Sequence, residues 1–169
     1  MRGAQFPLRS TRLEPSPCDL ASPPIAPASL AAAMDRTFII CKPDAVERGL
    51  VGEILARFER RSLRITSAEL RTIDRATAEQ HYGEHVGKPF FEGLVEFITR
   101  GPSMLAVIEG PEDTWQVVRT MMGATNPRNA APGTIRADLG IEFTENLIHG
   151  SDSTEAADRE IALFFPAMS

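Results

Sequence analysis

From residue 36 onward, apolar and polar positions recur with two distinct periods. The run RTFIICK (36–42) is short, apolar and β-rich, and predicts a buried strand. GLVGEILARFERRS (49–62) sets Leu50, Ile54, Leu55 and Phe58 near helical spacing with charges between them, and predicts an amphipathic helix. LRITSAELRTI (63–73) alternates loosely and reads as a second strand. ATAEQHYGEHV (76–86) and FFEGLVEFITR (90–100) read as two helical pieces divided by Gly87 and Pro89, and SMLAVIEG (103–110) as a third strand. PEDTWQVVRTMMG (111–123) is a helix that Pro111 and Asp113 start and Gly123 stops. ATNPRNAAPGTIRADLG (124–140) is rich in turn formers and predicts a long, ordered loop. NLIHG (146–150) reads as a fourth short strand. DSTEAADREIALFF (152–165) reads as the last helix, with Asp152 and Glu155 resembling a capping box. The order βαβ, helices, βαβ, helix favours a single antiparallel sheet covered by helices, an α+β sandwich of the split-βαβ kind.

The first 34 residues break this pattern. They hold six of the thirteen prolines and show neither period, which predicts a disordered arm, with one folded domain over 35–169. Arg2, Arg9, Arg12 and several serines weakly resemble a transit peptide, and the ASLAAAM stretch a cleavage site. The prolines interrupt any apolar core of a signal, and Glu14 and Asp19 dilute the basic character. The favoured reading is a dispensable leader with Met34 as the effective start, and a targeting leader is the competing one. The chain's 169 residues suffice for one domain with a real core. A net charge of −5 argues against a broad nucleic-acid surface, though not against a small basic pocket. No apolar run approaches membrane-spanning length. Cys18 and Cys41 lack metal-ligand spacing and form no disulfide framework, which fits a reducing compartment and a cytoplasmic protein.

The candidate chemistry centres on His149, at the end of a core strand and before Gly150. A strand end opening into a glycine turn lets a side chain face a cleft. Ser151, Asp152 and Ser153 supply polar partners, and Glu160, two turns into the last helix, is placed to point back toward the strand end. A histidine oriented by such a partner is a nucleophile or base arrangement. His81 and His85 lie four apart, but their context reads as a solvated surface and their spacing is a weak metal signal. Lys42 at the end of the first strand, Arg119 in an amphipathic helix, Thr125 and Arg136 in the long loop, and Asn146 opening the last strand would together make a phosphate and sugar pocket. No Walker-type loop is present, so phosphate binding here would use side chains.

These stretches carry a family resemblance. RTFIICKPDAVERGLVGEI, HYGEHVGKPFFEGLVEFITRGP, MMGATNP, PGTIRADLG and NLIHGSDS resemble, in order, the signatures of nucleoside diphosphate kinases, from Arg36 to Phe165. The resemblance implies a ferredoxin-like fold with a four-stranded antiparallel sheet. It also implies transfer of the terminal phosphate of ATP or another nucleoside triphosphate to a nucleoside diphosphate, through a phosphohistidine. By that resemblance His149 is the nucleophile, supported by Ser151 and Glu160, with Tyr82 nearby. Lys42, Arg119, Thr125 and Arg136 form the phosphate-binding set. Phe90 stacks on the base, and Lys42 and Asn146 contact the ribose hydroxyls. Of Phe90 and Phe91, one should face in and one out. The family uses Mg2+ bound mainly through the substrate phosphates, and its members form tetramers or hexamers. Three positions depart from the pattern: Ala137 replaces a common glycine, Glu145 a frequent arginine and Ala124 a glutamate. The sequence ends at Ser169 without the tail that often stabilises subunit contacts, which leaves the oligomer undetermined. Two other readings compete: a catalytically silent nucleotide-sensing or interaction module, and a histidine acid–base phosphoester hydrolase.

Overall fold

The computed structural model describes residues 34–168, all within one unit of the chain, Ala31–Ser169. The arm expected over 1–34 therefore lies, but for Met34, outside the described residues. Four strands form one sheet: β1 (Asp35–Cys41), β2 (Arg64–Thr72), β3 (Pro102–Gly110) and β4 (Ile148–Gly150). Their order is β2-β3-β1-β4, and every neighbouring pair is antiparallel. The central strands β1 and β3 are buried on both faces, which is why their sequences are continuous apolar runs rather than alternations. β2 is an edge strand with one uncovered side and a register shift between Ile65 and Ser67, and its pattern is correspondingly loose.

Alternate residues of β1 feed two cores. Ile39 and Cys41 pack with Ile54 and Phe58 of α2 (Val51–Arg60) and with Val118 and Met122 of α5 (Thr114–Met122). Phe38 and Ile40 pack on the other face with Ala78 of α3 (Arg75–His81), Val95 and Ile98 of α4 (Phe91–Thr99), and Ile161 and Phe164 of α7 (Thr154–Phe164). The result is the helix-covered, four-stranded antiparallel α+β sandwich expected. Burial of the Cys41 thiol, reinforced by the charge of Asp44, pushes its pKa up to about 12 and leaves it unreactive. No helix among the described residues is long and apolar enough to cross a membrane.

Several local expectations are corrected. A five-residue helix, α1 (Pro43–Glu47), begins directly after Lys42 with proline at its first turn. It is too short to display a helical period. The predicted loop 124–140 contains another, α6 (Ile135–Leu139), capped by Thr134 through Ala137 N–H, so Arg136 is helical rather than in a loop. The cap of α7 is Ser153, which accepts from Ala156 N–H at 3.0 Å, not Asp152. Asp113 occupies the cap position of α5 at φ 61° and makes no side-chain cap bond. Gly123 ends that helix as expected, with φ 82°.

The entry to β4 sets the site. Lys42 N–H donates to Leu147 O at 2.9 Å, and Leu147 N–H donates to Asp44 Oδ2 at 3.0 Å. These two bonds hold buried Leu147 at φ 70°, a left-handed conformation costly for leucine. After that bend, His149 falls opposite Ile40 in the register and Gly150 opposite Ile39. His149 therefore shares the face of α3, α4 and α7. Gly150 lies under α5, where a Cβ would stand 2.6 Å from Met122 Sδ. A side chain there would push helix and strand apart.

Candidate active site

His149 opens on a cavity of about 740 Å3, a size suited to a small-molecule ligand. Lys42, Tyr82, Phe90, Arg119, Thr125, Arg136, Asn146 and Glu160 line it too. Of the ten residues singled out from sequence, only Ser151 does not. It lies beneath, fully buried, with its hydroxyl donating to Glu160 Oε2 at 2.6 Å and accepting Phe38 N–H at 3.3 Å. Glu160 does point back to the strand end: its Oε1 lies 3.0 Å from His149 Nε2. Burial drives the Glu160 carboxyl toward neutrality, but the bond from His149, the imidazole charges and the bond from Ser151 outweigh it, and its pKa is below the ordinary value. An ionised carboxylate only accepts, so Nε2 carries the ring proton and the Nδ1 lone pair is left free.

His81 is the main correction at the site. Its side chain is only 3% exposed, not solvated, because α3 ends at His81 and turns the ring inward. The ring meets His149 edge-on at a centroid distance of 4.7 Å and Phe164 at 5.4 Å, and His81 Nδ1 lies 3.6 Å from Glu160 Oε1 without a hydrogen-bond partner. Burial, and then the charge of His149, lowers its pKa to about 3, so it is neutral at ordinary pH. Tyr82 packs on His81 at 4.6 Å. Its phenol is pushed up to about 12 by burial and by Glu160. His85 belongs to a separate 3-10 turn, half-buried against Phe90. The sequence signal that could have found His81 was its place one residue before Tyr82.

Three cations face the same space. Lys42 Nζ donates to Asn146 Oδ1 at 2.8 Å, and Asn146 Nδ2 donates to Thr125 O and Phe143 O, which ties the loop to the strand end. Arg136 is buried and donates to three carbonyls, those of Asn146, Gly123 and Ile148, the last at 2.6 Å. Arg119 Nη1 donates to Gly150 O at 3.3 Å. Among the described residues none of the three makes a salt bridge. Burial, and then Arg136, lowers Lys42 to about 8, and burial, and then Arg119, lowers Arg136 to about 10. The charge of Asp44 offsets the Lys42 shift only in part, and cations that still repel one another across a cavity are the electrostatics of an anion site.

Apolar aromatic surface completes the cavity. Phe90 is 52% exposed and Phe91 is half-buried in the core, so one of the pair faces out and one in. Phe143, 59% exposed, also lines the cavity and was not singled out from sequence. Glu145 lies on the same rim. Its carboxylate accepts from Arg100 at 2.6 Å, and Arg100 also grips Glu47 at 2.8 Å and lies over the Phe97 ring.

Comparison with known proteins identifies the family. The family model described as nucleoside diphosphate kinase matches residues 35–169. A nucleoside diphosphate kinase of Parafrankia sp. is 56% identical over 135 residues, covering 80% of this chain and 98% of the relative. One from Carboxydothermus hydrogenoformans is 60% identical over 132 residues, covering 78% and 88%. Among solved structures, the halophilic nucleoside diphosphate kinase of Halobacterium salinarum in complex with CDP superposes with a TM-score of 0.75 at 51% identity, covering 78% of this chain and 87% of the other. A family protein from Babesia bovis gives 0.76 at 44% identity, covering 79% and 90%. The histidine held by Glu160, the cations lining the same cavity and these matches across the described domain converge: the chain belongs to the nucleoside diphosphate kinase family.

Proposed function

We propose that this chain transfers the terminal phosphate of ATP, or another nucleoside triphosphate, to a nucleoside diphosphate by a ping-pong mechanism through a phosphohistidine at His149. What carries this reading is the His149–Glu160–Ser151 chain on a cavity also lined by three cations that, among the described residues, make no salt bridge. Glu160 holds the Nε2 proton, so Nδ1 attacks the terminal phosphorus. The Nδ1–P bond forms as the bond to the bridging oxygen breaks, and the departing diphosphate keeps that electron pair. The positive charge that develops on the ring is stabilised by Glu160, itself steadied by Ser151. Lys42, Arg119, Arg136 and Thr125 position the phosphates and balance the charge gathering on their oxygens, which is most of what phosphoryl transfer asks of a protein. A diphosphate then enters the same cavity and reverses the steps.

Lys42 Nζ presents a donor and Asn146 Oδ1, which it already meets at 2.8 Å, an acceptor to the ribose hydroxyls. The exposed Phe90 stacks on the base by its π-face, which suits little base preference. Mg2+ fits this donor set: it binds chiefly through phosphates and keeps its waters, and the exposed carboxylate of Asp152 lines the cavity as an acceptor for them. When bound, it neutralises phosphate charge. The enzyme is read as a cytoplasmic homo-oligomer, tetramer or hexamer, and the arm as a dispensable leader.

The test is incubation with γ-labelled ATP and Mg2+. An acid-labile, base-stable label on the protein, discharged by a diphosphate, supports the kinase. Free phosphate without a labelled enzyme would mean hydrolysis, and neither product would mean a silent binding module.

A further inference from the structure

Beneath the nucleophile lies a group of donors that phosphotransfer does not fully use. His81, His149 and Glu160 offer one ligand atom each, and these atoms all lie within 4.8 Å of one another. Two pairs are already close: Glu160 Oε1 is 3.0 Å from His149 Nε2 and 3.6 Å from His81 Nδ1. His81 Nδ1 is the unexplained atom. It sits on a side chain 97% withdrawn from solvent and has no hydrogen-bond partner. A buried polar atom left without a partner loses its hydration and gains nothing in return.

We propose that the dephosphorylated enzyme carries an inhibitory site for a borderline transition-metal ion of the zinc class, held by His81, His149 and Glu160. Two imidazoles and a carboxylate are a zinc donor set, whereas Mg2+ avoids nitrogen. Zn2+ with ligand bonds near 2.0–2.1 Å sets its ligands about 3.3 Å apart, so the existing gaps close by at most about 1.5 Å. The Ser151 hydroxyl on Glu160 Oε2 leaves Oε1 aimed at the ion, as an outer-shell partner should. All three ligands line the cavity, so the ion enters from there, and the fourth position opens to water.

The consequence rests on the phosphohistidine reading above. In the resting site the ring proton is on Nε2 and the Nδ1 lone pair faces the cavity. Zn2+ accepts the Nε2 lone pair, and the neutral ring then carries its proton on Nδ1, exchanged through solvent. Nothing is oxidised or reduced. Protonated Nδ1 has no electron pair with which to attack phosphorus. The ion thus blocks the nucleophile from behind rather than by competing with Mg2+ for the nucleotide.

The experiment titrates full-length, metal-free, dephosphorylated enzyme with Zn2+ against a chromogenic chelator. Bound and free protein are then followed by histidine nitrogen NMR and by the rate of phosphoenzyme formation from Mg2+–ATP. The expected result is one Zn2+ per chain, a His149 tautomer shifted from Nε2–H to Nδ1–H, and at least tenfold slower phosphorylation that added Mg2+–ATP does not restore. His81→Gln is expected to weaken Zn2+ binding by at least about tenfold. The wild-type NMR readout serves if that variant misfolds. No bound Zn2+, an unchanged tautomer, or equal binding by a folded His81→Gln overturns the site, and bound Zn2+ with unaltered phosphorylation overturns the inhibition. Metal-free enzyme that never labels while Zn2+ still switches the tautomer would refute the catalytic reading and uphold the site.

Discussion

His149 illustrates how much at this site depends on single atoms. In the mechanism proposed, its reactivity comes from which ring nitrogen holds the proton, and that is set by Glu160 Oε1 at 3.0 Å. His149→Ala is expected to abolish phosphotransfer while the fold and much of the nucleotide affinity remain, because the cations position phosphate but cannot replace a nucleophile. Single-turnover labelling with binding calorimetry checks this, and near-normal turnover would refute the mechanism. Lys42 is expected to set the alkaline limit of the proposed reaction. Burial, then Arg136, brings its pKa down to about 8, so the free enzyme loses this positive charge as pH rises through that value. We expect kcat/KM to fall above about pH 8, whereas kcat falls at higher pH because bound phosphate holds the proton on. Lys42→Arg should remove the limb at reduced activity. A kcat/KM that stays flat to pH 10 would contradict the assignment. Most of these residues were legible in the sequence because nucleophile, lysine and arginines are chemically distinctive types in apolar or turn settings. His81 was not, since burial of a helix-end side chain depends on which way the next turn runs.

At the scale of elements, the cations divide by what their backbones need. Arg136 stitches α6 to Gly123, Asn146 and Ile148, whereas Arg119 reaches from α5 with a single long bond to Gly150. Arg136→Ala should therefore lower stability by about 2–4 kcal/mol as well as the transfer rate. Arg119→Ala should cost stability little but slow transfer by about 10²–10³-fold, the loss of an electrostatic donor. Thermal melts and single-turnover rates on both variants separate the cases, and equal destabilisation would show that Arg119 is structural too. The bend at Leu147 is a second such element. Asp44→Ala removes the acceptor of a buried N–H and should cost about 1–3 kcal/mol and displace His149, while Asp44→Asn keeps an acceptor and should largely restore both. Indistinguishable melting of the two variants would mean that the bend holds without Asp44. None of this was visible beforehand: α1 and α6 are too short to show a period, and a left-handed leucine leaves no mark on composition.

For the whole molecule, the two cores and the cavity are built from residues 35–168, and the family match spans 35–169. We expect a chain beginning at Met34 to fold, assemble and phosphorylate diphosphates as the full chain does, because both cores and the cavity are made from residues 35–168. Paired melting curves and turnover numbers test this, and a marked loss on truncation would mean that the arm contributes to the domain. The linear order of residues by itself determined the α+β class, the strands of the central sheet and the types of group at the site. These follow from local period and side-chain chemistry, which are properties of short stretches. Only the tertiary structure decided that Ser151 lies beneath Glu160, that His81 is buried against His149, and that Phe143 shares the cavity with Phe90. Such facts depend on which distant elements pack together, and on the register that places His149 opposite Ile40, and local patterning carries no information about either.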